Sequence, residues 1–246
     1  MAVAIVAVAI VTTSGVCWGA EKPVTPTDQY EKREIEGWTV FVNRRLLTDL
    51  PDLGAEALHL LDSKLHQIGR MVPEAGCREL RRVPIWLGVD DGHAPCAEYH
   101  PSGEWLRANG YNPDKARCVG IGCAAKLVDW SKQQPMMVLH ELAHPYHHQV
   151  LGNDHPALRA AYEAALASGN YEAVLCHDGS TRRAYAMNNV QEYFAELTEC
   201  FYGANDFYPF VRAELREQDP EGYRLLQELW SSPPAPQATT DAQRRN

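Results

Sequence analysis

An apolar run that carries two histidines and a glutamate constrains this chain more than any other stretch. Residues 135–144 read Pro-Met-Met-Val-Leu-His-Glu-Leu-Ala-His. Pro135 suits the first turn of a helix. Met136, Met137, Val138 and Leu139 are apolar almost all round, as in a helix with no wet face. Residues four apart share a helical face, so His140 and His144 stand together. Ionisable groups inside a buried helix are costly unless paired or metal-bound. The fold must therefore bring them partners. The spacing H-E-x-x-H presents two imidazoles to one ion, and neutral imidazole binds zinc at about 2.0–2.1 Å. Glu141 then sits beside the ion without ligating it, where it can act as general base on a zinc-bound water.

A catalytic zinc takes three protein ligands, so a third is expected downstream. Residues 188–199 read Asn-Asn-Val-Gln-Glu-Tyr-Phe-Ala-Glu-Leu-Thr-Glu. Their composition is helical, with Asn188 or Asn189 available as N-cap. Glu192, Glu196 and Glu199 fall on one face, where like charges repel by a few tenths of a kcal/mol per pair. A zinc ion and its histidines opposite would relieve that repulsion. Tyr193, Phe194, Ala195 and Leu197 between them point to a buried helix.

His140–His144, then Tyr185 seven residues before Glu192, then Glu192-Tyr193-Phe194-Ala195-Glu196, together resemble the gluzincin metallopeptidases. Within them the chain is most similar to the group of the anthrax lethal factor catalytic domain and the Pro-Pro endopeptidases. The resemblance is confined to about residues 118–205. It implies an α+β fold, with a small sheet-containing N-terminal lobe, a mainly helical C-terminal lobe and the active-site helix between them. It implies one Zn2+ per chain on His140, His144 and Glu192, with Glu141 and Tyr185 catalytic. Tyr185 would hydrogen-bond the oxyanion, and Glu196 would orient a ligating histidine. It also implies that an edge strand within residues 118–130, Cys-Val-Gly-Ile-Gly-Cys-Ala-Ala-Lys-Leu-Val-Asp-Trp, pairs with an extended peptide substrate. Gly120, Gly122, Ala124 and Ala125 would let that peptide approach closely.

The chain departs from the pattern at Pro145. A proline there removes a helical hydrogen bond to the Glu141 carbonyl at a cost of about 3 kcal/mol. It also disfavours the α conformation of His144, so a kink is expected at or just past the second ligand. Two alternatives follow. One is a non-catalytic secreted zinc-binding or protein-binding protein whose ligand geometry Pro145 has spoiled. The other is a zinc hydrolase of non-peptide amides.

The net charge of −9 argues against nucleic-acid binding. Residues 1–20, apolar from Ala2 to Val11, read as a signal peptide too short to span a bilayer. The mature protein is thus expected to be secreted, extracellular, monomeric and free of membrane, with peptides or proteins as substrates. Loss of Cys17 with the signal leaves Cys77, Cys96, Cys118, Cys123, Cys176 and Cys200, an even number that suggests disulfides. Residues 21–36 read as an extended leader, 37–231 as the peptidase domain and 232–246 as a disordered tail.

The remaining stretches supply the frame. Trp38–Val42 and Val83–Val89 read as strands. Gly54–Met71, Ser102–Asn109 and Pro156–Ser168 read as helices, the last ended by Gly169. Asp90–Pro101 reads as a polar loop holding Asp90, Asp91, His93, Glu98 and His100. Tyr171–Ala186 reads as a hairpin around Asp178-Gly179 that delivers Tyr185, with Arg182 and Arg183 as turn charges. His147 reads as a supporting or surface residue. Asn205–Phe210 reads as an aromatic turn, and Glu214–Trp230 as helix interrupted near Pro220.

Overall fold

Glu36 and Gly37 both take positive φ, 51° and 85°. Two such residues in succession make the tight turn that matches strand twist. They join β1 (Tyr30–Ile35) to β2 (Trp38–Asn43) as an antiparallel hairpin. The computed structural model describes residues 24–91 and 96–231. The expected signal peptide, the tail and His93 lie outside the described residues. Residues 30–35, read as part of a leader, are thus a strand. Their charges, Glu31, Lys32, Arg33 and Glu34, are those of a protected sheet edge.

β2 pairs in parallel with β3 (Ile85–Leu87). A fourth strand, β4 (Ala97–Tyr99), comes next in the chain, and β5 (Val119–Ile121) lies between β3 and β4. The spatial order is β1-β2-β3-β5-β4, parallel in the middle and antiparallel at both edges. This corrects the expected edge strand. β5 is buried and paired on both sides, and Ala124–Trp130 after it is helix, as its Ala-Ala-Lys-Leu composition favours. The edge belongs to β4, within the stretch read as a polar loop.

The helices in chain order are α1 (Arg45–Thr48), α2 (Pro51–Met71), α3 (Glu74–Leu80), α4 (Gly103–Ala108), α5 (Ala124–Trp130), α6 (Met137–Tyr146), α7 (Pro156–Ser168), α8 (Val190–Tyr202), α9 (Arg212–Gln218) and α10 (Pro220–Ser231). Gly54 in α2 is required by contact: a Cβ there would stand 2.0 Å from the Leu46 carbonyl oxygen of α1. Ser102 caps α4, its Oγ accepting from Trp105 N at 3.2 Å. Gly169 ends α7 in the left-handed region at φ 70°. The hairpin strands β6 (Val174–Leu175) and β7 (Thr181–Arg182) flank Asp178-Gly179.

One continuous core joins sheet to helices. It runs from Val40, Ile85 and Val119, through Leu61 and Leu65 of α2 and Leu139 and Leu142 of α6, to Phe194 of α8 and Trp230 of α10. Tyr146, Phe194 and Trp230 stack within it, the first and last with ring centroids 4.1 Å apart. The core clamps α6 between the sheet and α8, which fixes the direction of its histidine face.

α6 continues through Pro145 to Tyr146 and passes into a π-helical turn at His147–Leu151, ended by Gly152 at φ 86°. The irregularity therefore falls beyond both histidines, and His144 keeps its helical position. Cys77, Cys96, Cys118, Cys123, Cys176 and Cys200 are free and buried in this structure. No described helix is long and apolar enough to cross a membrane.

Candidate metal centre

α8 begins where Asn189 Oδ1 accepts the backbone N–H of Glu192 at 2.9 Å. That cap places the Glu192 carboxylate in the first turn, where the helix dipole favours negative charge. α6 packs against α8 along its length and turns His140 and His144 toward it. His140 Nε2 stands 3.1 Å from Glu192 Oε2, and His144 Nε2 stands 3.6 Å from the same oxygen. The donor atoms of these three residues lie within 4.8 Å of one another and could hold a metal ion.

The other side of the His140 ring meets a second carboxylate. Its Nδ1 is 2.7 Å from Glu199 Oε1 and 3.6 Å from Glu196 Oε1. Glu199, rather than the expected Glu196, is therefore the hydrogen-bond partner that orients His140. Glu196 accepts instead from Asn205 Nδ2 at 3.2 Å. With Nδ1–H donating to Glu199, Nε2 would offer its lone pair to an ion that displaces the proton it shares with Glu192. Glu199 was visible in the sequence as the third acid of the face, but not its reach to the ring.

The electrostatics follow from burial and these contacts. Burial alone would depress His140, but its hydrogen bonds to Glu192 and Glu199 overrule that and hold its pKa well above the ordinary value. Burial pushes Glu192 up, and the histidines beside it bring it below the ordinary value. The ring thus shares positive charge with two carboxylates, the charge that a divalent ion would supply. Burial and the neighbouring His140 drop His144 to about 3, so it is a neutral donor. Burial, with Glu192 nearby, lifts Glu141 to about 7. Burial and then Glu199 raise Glu196 well above the usual carboxylate range.

A cleft of about 460 Å³ opens over this face, lined by Ala97, Glu98 and Tyr99 of β4 on one wall and by Tyr185, Asn189 and Gln191 on the other. Tyr185 is 45% exposed, and its ring centroid is 6.4 Å from that of His140. Arg183 braces the turn that carries it, donating to Met187 O at 2.8 Å and to Glu172 Oε1 at 3.1 Å. Arg182 donates to Cys176 Sγ at 3.2 Å. Both arginines serve the hairpin, as their place in the turn suggested.

Two histidines past the motif divide differently from expectation. His147 is 1% exposed, packs against Phe194 and has no hydrogen-bond partner at either ring nitrogen, so it lies in the core. His148 lines the cleft, with Nδ1 2.6 Å from the Tyr99 hydroxyl of β4. Neither Tyr99 nor His148 was singled out from the sequence, because the contact joins a strand to a π-helical turn and neither element carries a spacing signal. In the polar stretch before β5, Asp91 pairs with Lys115, and Glu98 takes His100 Nε2 at 3.0 Å and the Tyr111 hydroxyl at 3.2 Å. Among the described residues these acids form no cluster that could hold an ion.

No family model, no curated protein and no solved structure matches this chain.

Proposed function

We propose that this chain is a secreted, monomeric zinc metalloendopeptidase of the gluzincin type, with His140, His144 and Glu192 as zinc ligands. The observation that carries the reading is the convergence of those three donors. Such ligands held at about 2.1 Å in a tetrahedron stand roughly 3.4 Å apart. The spacings of 3.1 and 3.6 Å to Glu192 Oε2 bracket that distance. The hydrogen bond from His140 to Glu199 supplies the outer support that metal-bound histidines need.

His140, His144 and Glu192 would hold the zinc, which would supply Lewis-acid polarisation of the scissile carbonyl and an acidified water. The rest falls to the chain's own residues. Glu141, poised near neutrality by burial, takes the proton of the attacking water and returns it to the leaving amine. Tyr185, at the opposite wall, donates its hydroxyl hydrogen to the developing oxyanion.

β4 supports an extended peptide as substrate. The carbonyls of Cys96 and His100 bond toward β5, accepting from Gly122 N and Arg117 N at 2.9 and 2.8 Å. Residues alternate in an antiparallel ladder, so the backbone groups of Ala97 and Tyr99 face away from β5. No described strand covers that side, and Ala97 and Tyr99 line the cleft. A substrate strand can pair there.

Metal analysis of the purified protein together with cleavage of a mixed peptide library tests this. About one zinc per chain is expected, with hydrolysis that falls by at least ~10²–10⁴ in Glu141→Gln while zinc is retained. Near wild-type hydrolysis by that variant would exclude the mechanism, and absence of zinc would exclude the centre. The alternative of a binding protein with a spoiled site rests on Pro145, which leaves His144 in helical register.

A further inference from the structure

The Tyr99–His148 contact at the cleft wall ends a hydrogen-bond chain that runs in one direction. The side chain of Arg117 can only donate and its carbonyl can only accept, so Arg117 fixes the Gln149 amide. Arg117 Nη2 donates to Gln149 Oε1 at 3.4 Å. Gln149 Nε2 then faces the Arg117 carbonyl at 3.4 Å and the Tyr99 hydroxyl at 3.3 Å. The Tyr99 oxygen accepts from Gln149, and its own hydrogen goes to the acceptor beside it, His148 Nδ1, at 2.6 Å. Burial pushes the Tyr99 hydroxyl up to about 12, so the phenol keeps its hydrogen. Burial and then Arg117 hold His148 below its ordinary value, so the ring is neutral.

A neutral imidazole that accepts at Nδ1 carries its hydrogen on Nε2. Among the described residues no polar group meets that Nε2, and it is not sealed in the core as both ring nitrogens of His147 are. His148 lines the cleft, so this N–H is open to whatever fills it. The same lining includes Glu98, Glu141 and Glu192 and no Lys or Arg, which favours a neutral carbonyl over a carboxylate as the acceptor. A peptide strand paired to β4 supplies such groups, because its backbone carbonyls alternate and every second one points away from β4.

We propose that His148 is a substrate-binding residue whose Nε2–H donates to a backbone carbonyl of the bound peptide, with Tyr99, Gln149 and Arg117 as positioning residues that hold its tautomer. The inference rests on the peptidase reading for its substrate, but the tautomer and the contact can be read without turnover. Nitrogen-15 spectra of the zinc-loaded, histidine-labelled protein should show His148 protonated at Nε2 alone, and Tyr99→Phe should turn that signal into a mixture of tautomers. In the Glu141→Gln protein, adding the mixed peptides of the library should shift the Nε2 resonance. His148 protonated at Nδ1, or an Nε2 resonance that ignores the peptides, would overturn the proposal whether or not any variant of His148 folds. With the best-cleaved peptide of the library, His148→Phe should raise KM by roughly three- to tenfold with kcat and zinc content little changed. His148→Gln, whose amide nitrogen falls near the place of Nε2, should recover most of that loss. An unchanged KM in folded His148→Phe, or equal losses in the Phe and Gln variants, would overturn the proposal and leave the peptidase standing. An Nε2 resonance that responds to peptides in a protein that cleaves none of them would support the donor and sink the peptidase reading instead.

Discussion

The two walls of the cleft are built on different terms. The α6–α8 wall is held by long helices whose charged groups are fixed at both ends. Asn189 caps the turn that carries Glu192, the core clamps α6, and Glu199 pins the His140 ring. The β4 wall is three residues long and half-buried, and is held by its ladder to β5 and by the Tyr99–His148 contact. On the peptidase reading, the first wall would concentrate the chemistry at a point. The other offers backbone along a line. Substitutions on the first should therefore change kcat and metal affinity, and substitutions on the second should change KM.

The largest effect that sharpens this contrast is expected at Tyr185. Tyr185→Phe should lower kcat by ~10²–10³ with KM little changed, since one oxyanion donor is typically worth that much. Unchanged kcat would remove Tyr185 from the chemistry. Next comes Glu199→Gln, which takes the charge from the partner of His140 Nδ1. Zinc affinity, read by competition with a chelator, should fall by ~10–100-fold. Glu196→Gln, one turn earlier and 3.6 Å from the same nitrogen, should leave zinc affinity nearly unchanged. Equal losses in the two variants would mean that the carboxylates act as one field, not as a specific hydrogen bond.

The same contrast explains what the sequence could tell. Spacings of three, four and seven residues convert directly into faces of a helix, so His140, His144, Glu192 and the acids after it were legible. Which acid meets His140 depends on how α8 crosses α6, and no spacing within either helix encodes that. Ala97-Glu98-Tyr99 is too short to alternate, so an edge strand looked like loop. Glu31-Lys32-Arg33-Glu34 looked like a solvated leader for the opposite reason: charges that guard an edge also resemble those of an unfolded segment.

His147 separates the His140–His144 face of α6 from the core it continues into. Burial drops its pKa to about 4, whereas an unfolded histidine titrates near 6.5. Between those values the unfolded chain binds more protons, so stability is present above pH ~6.5 and is lost as pH falls toward 4. For this one group the loss between pH 7 and pH 5 is on the order of 2 kcal/mol. Denaturant midpoints of His147→Leu across that range should show a shallower acid slope than wild type, with zinc content unaffected. Parallel slopes would show that His147 is not the group that charges on unfolding.

The smallest effect belongs to the strand wall, and Ala97→Pro isolates it. The N–H of Ala97 faces away from β5, so proline there costs the ladder no hydrogen bond and is tolerated at an edge. A peptide that pairs with β4 would lose one backbone hydrogen bond, worth about 0.5–1.5 kcal/mol. KM for a long peptide should therefore rise by roughly three- to tenfold, with kcat and zinc affinity unchanged and little change for a dipeptide amide too short to reach the strand. A loss confined to kcat would instead tie β4 to the chemistry and erase the division between the two walls. An unchanged KM for the long peptide would place the substrate backbone elsewhere in the cleft.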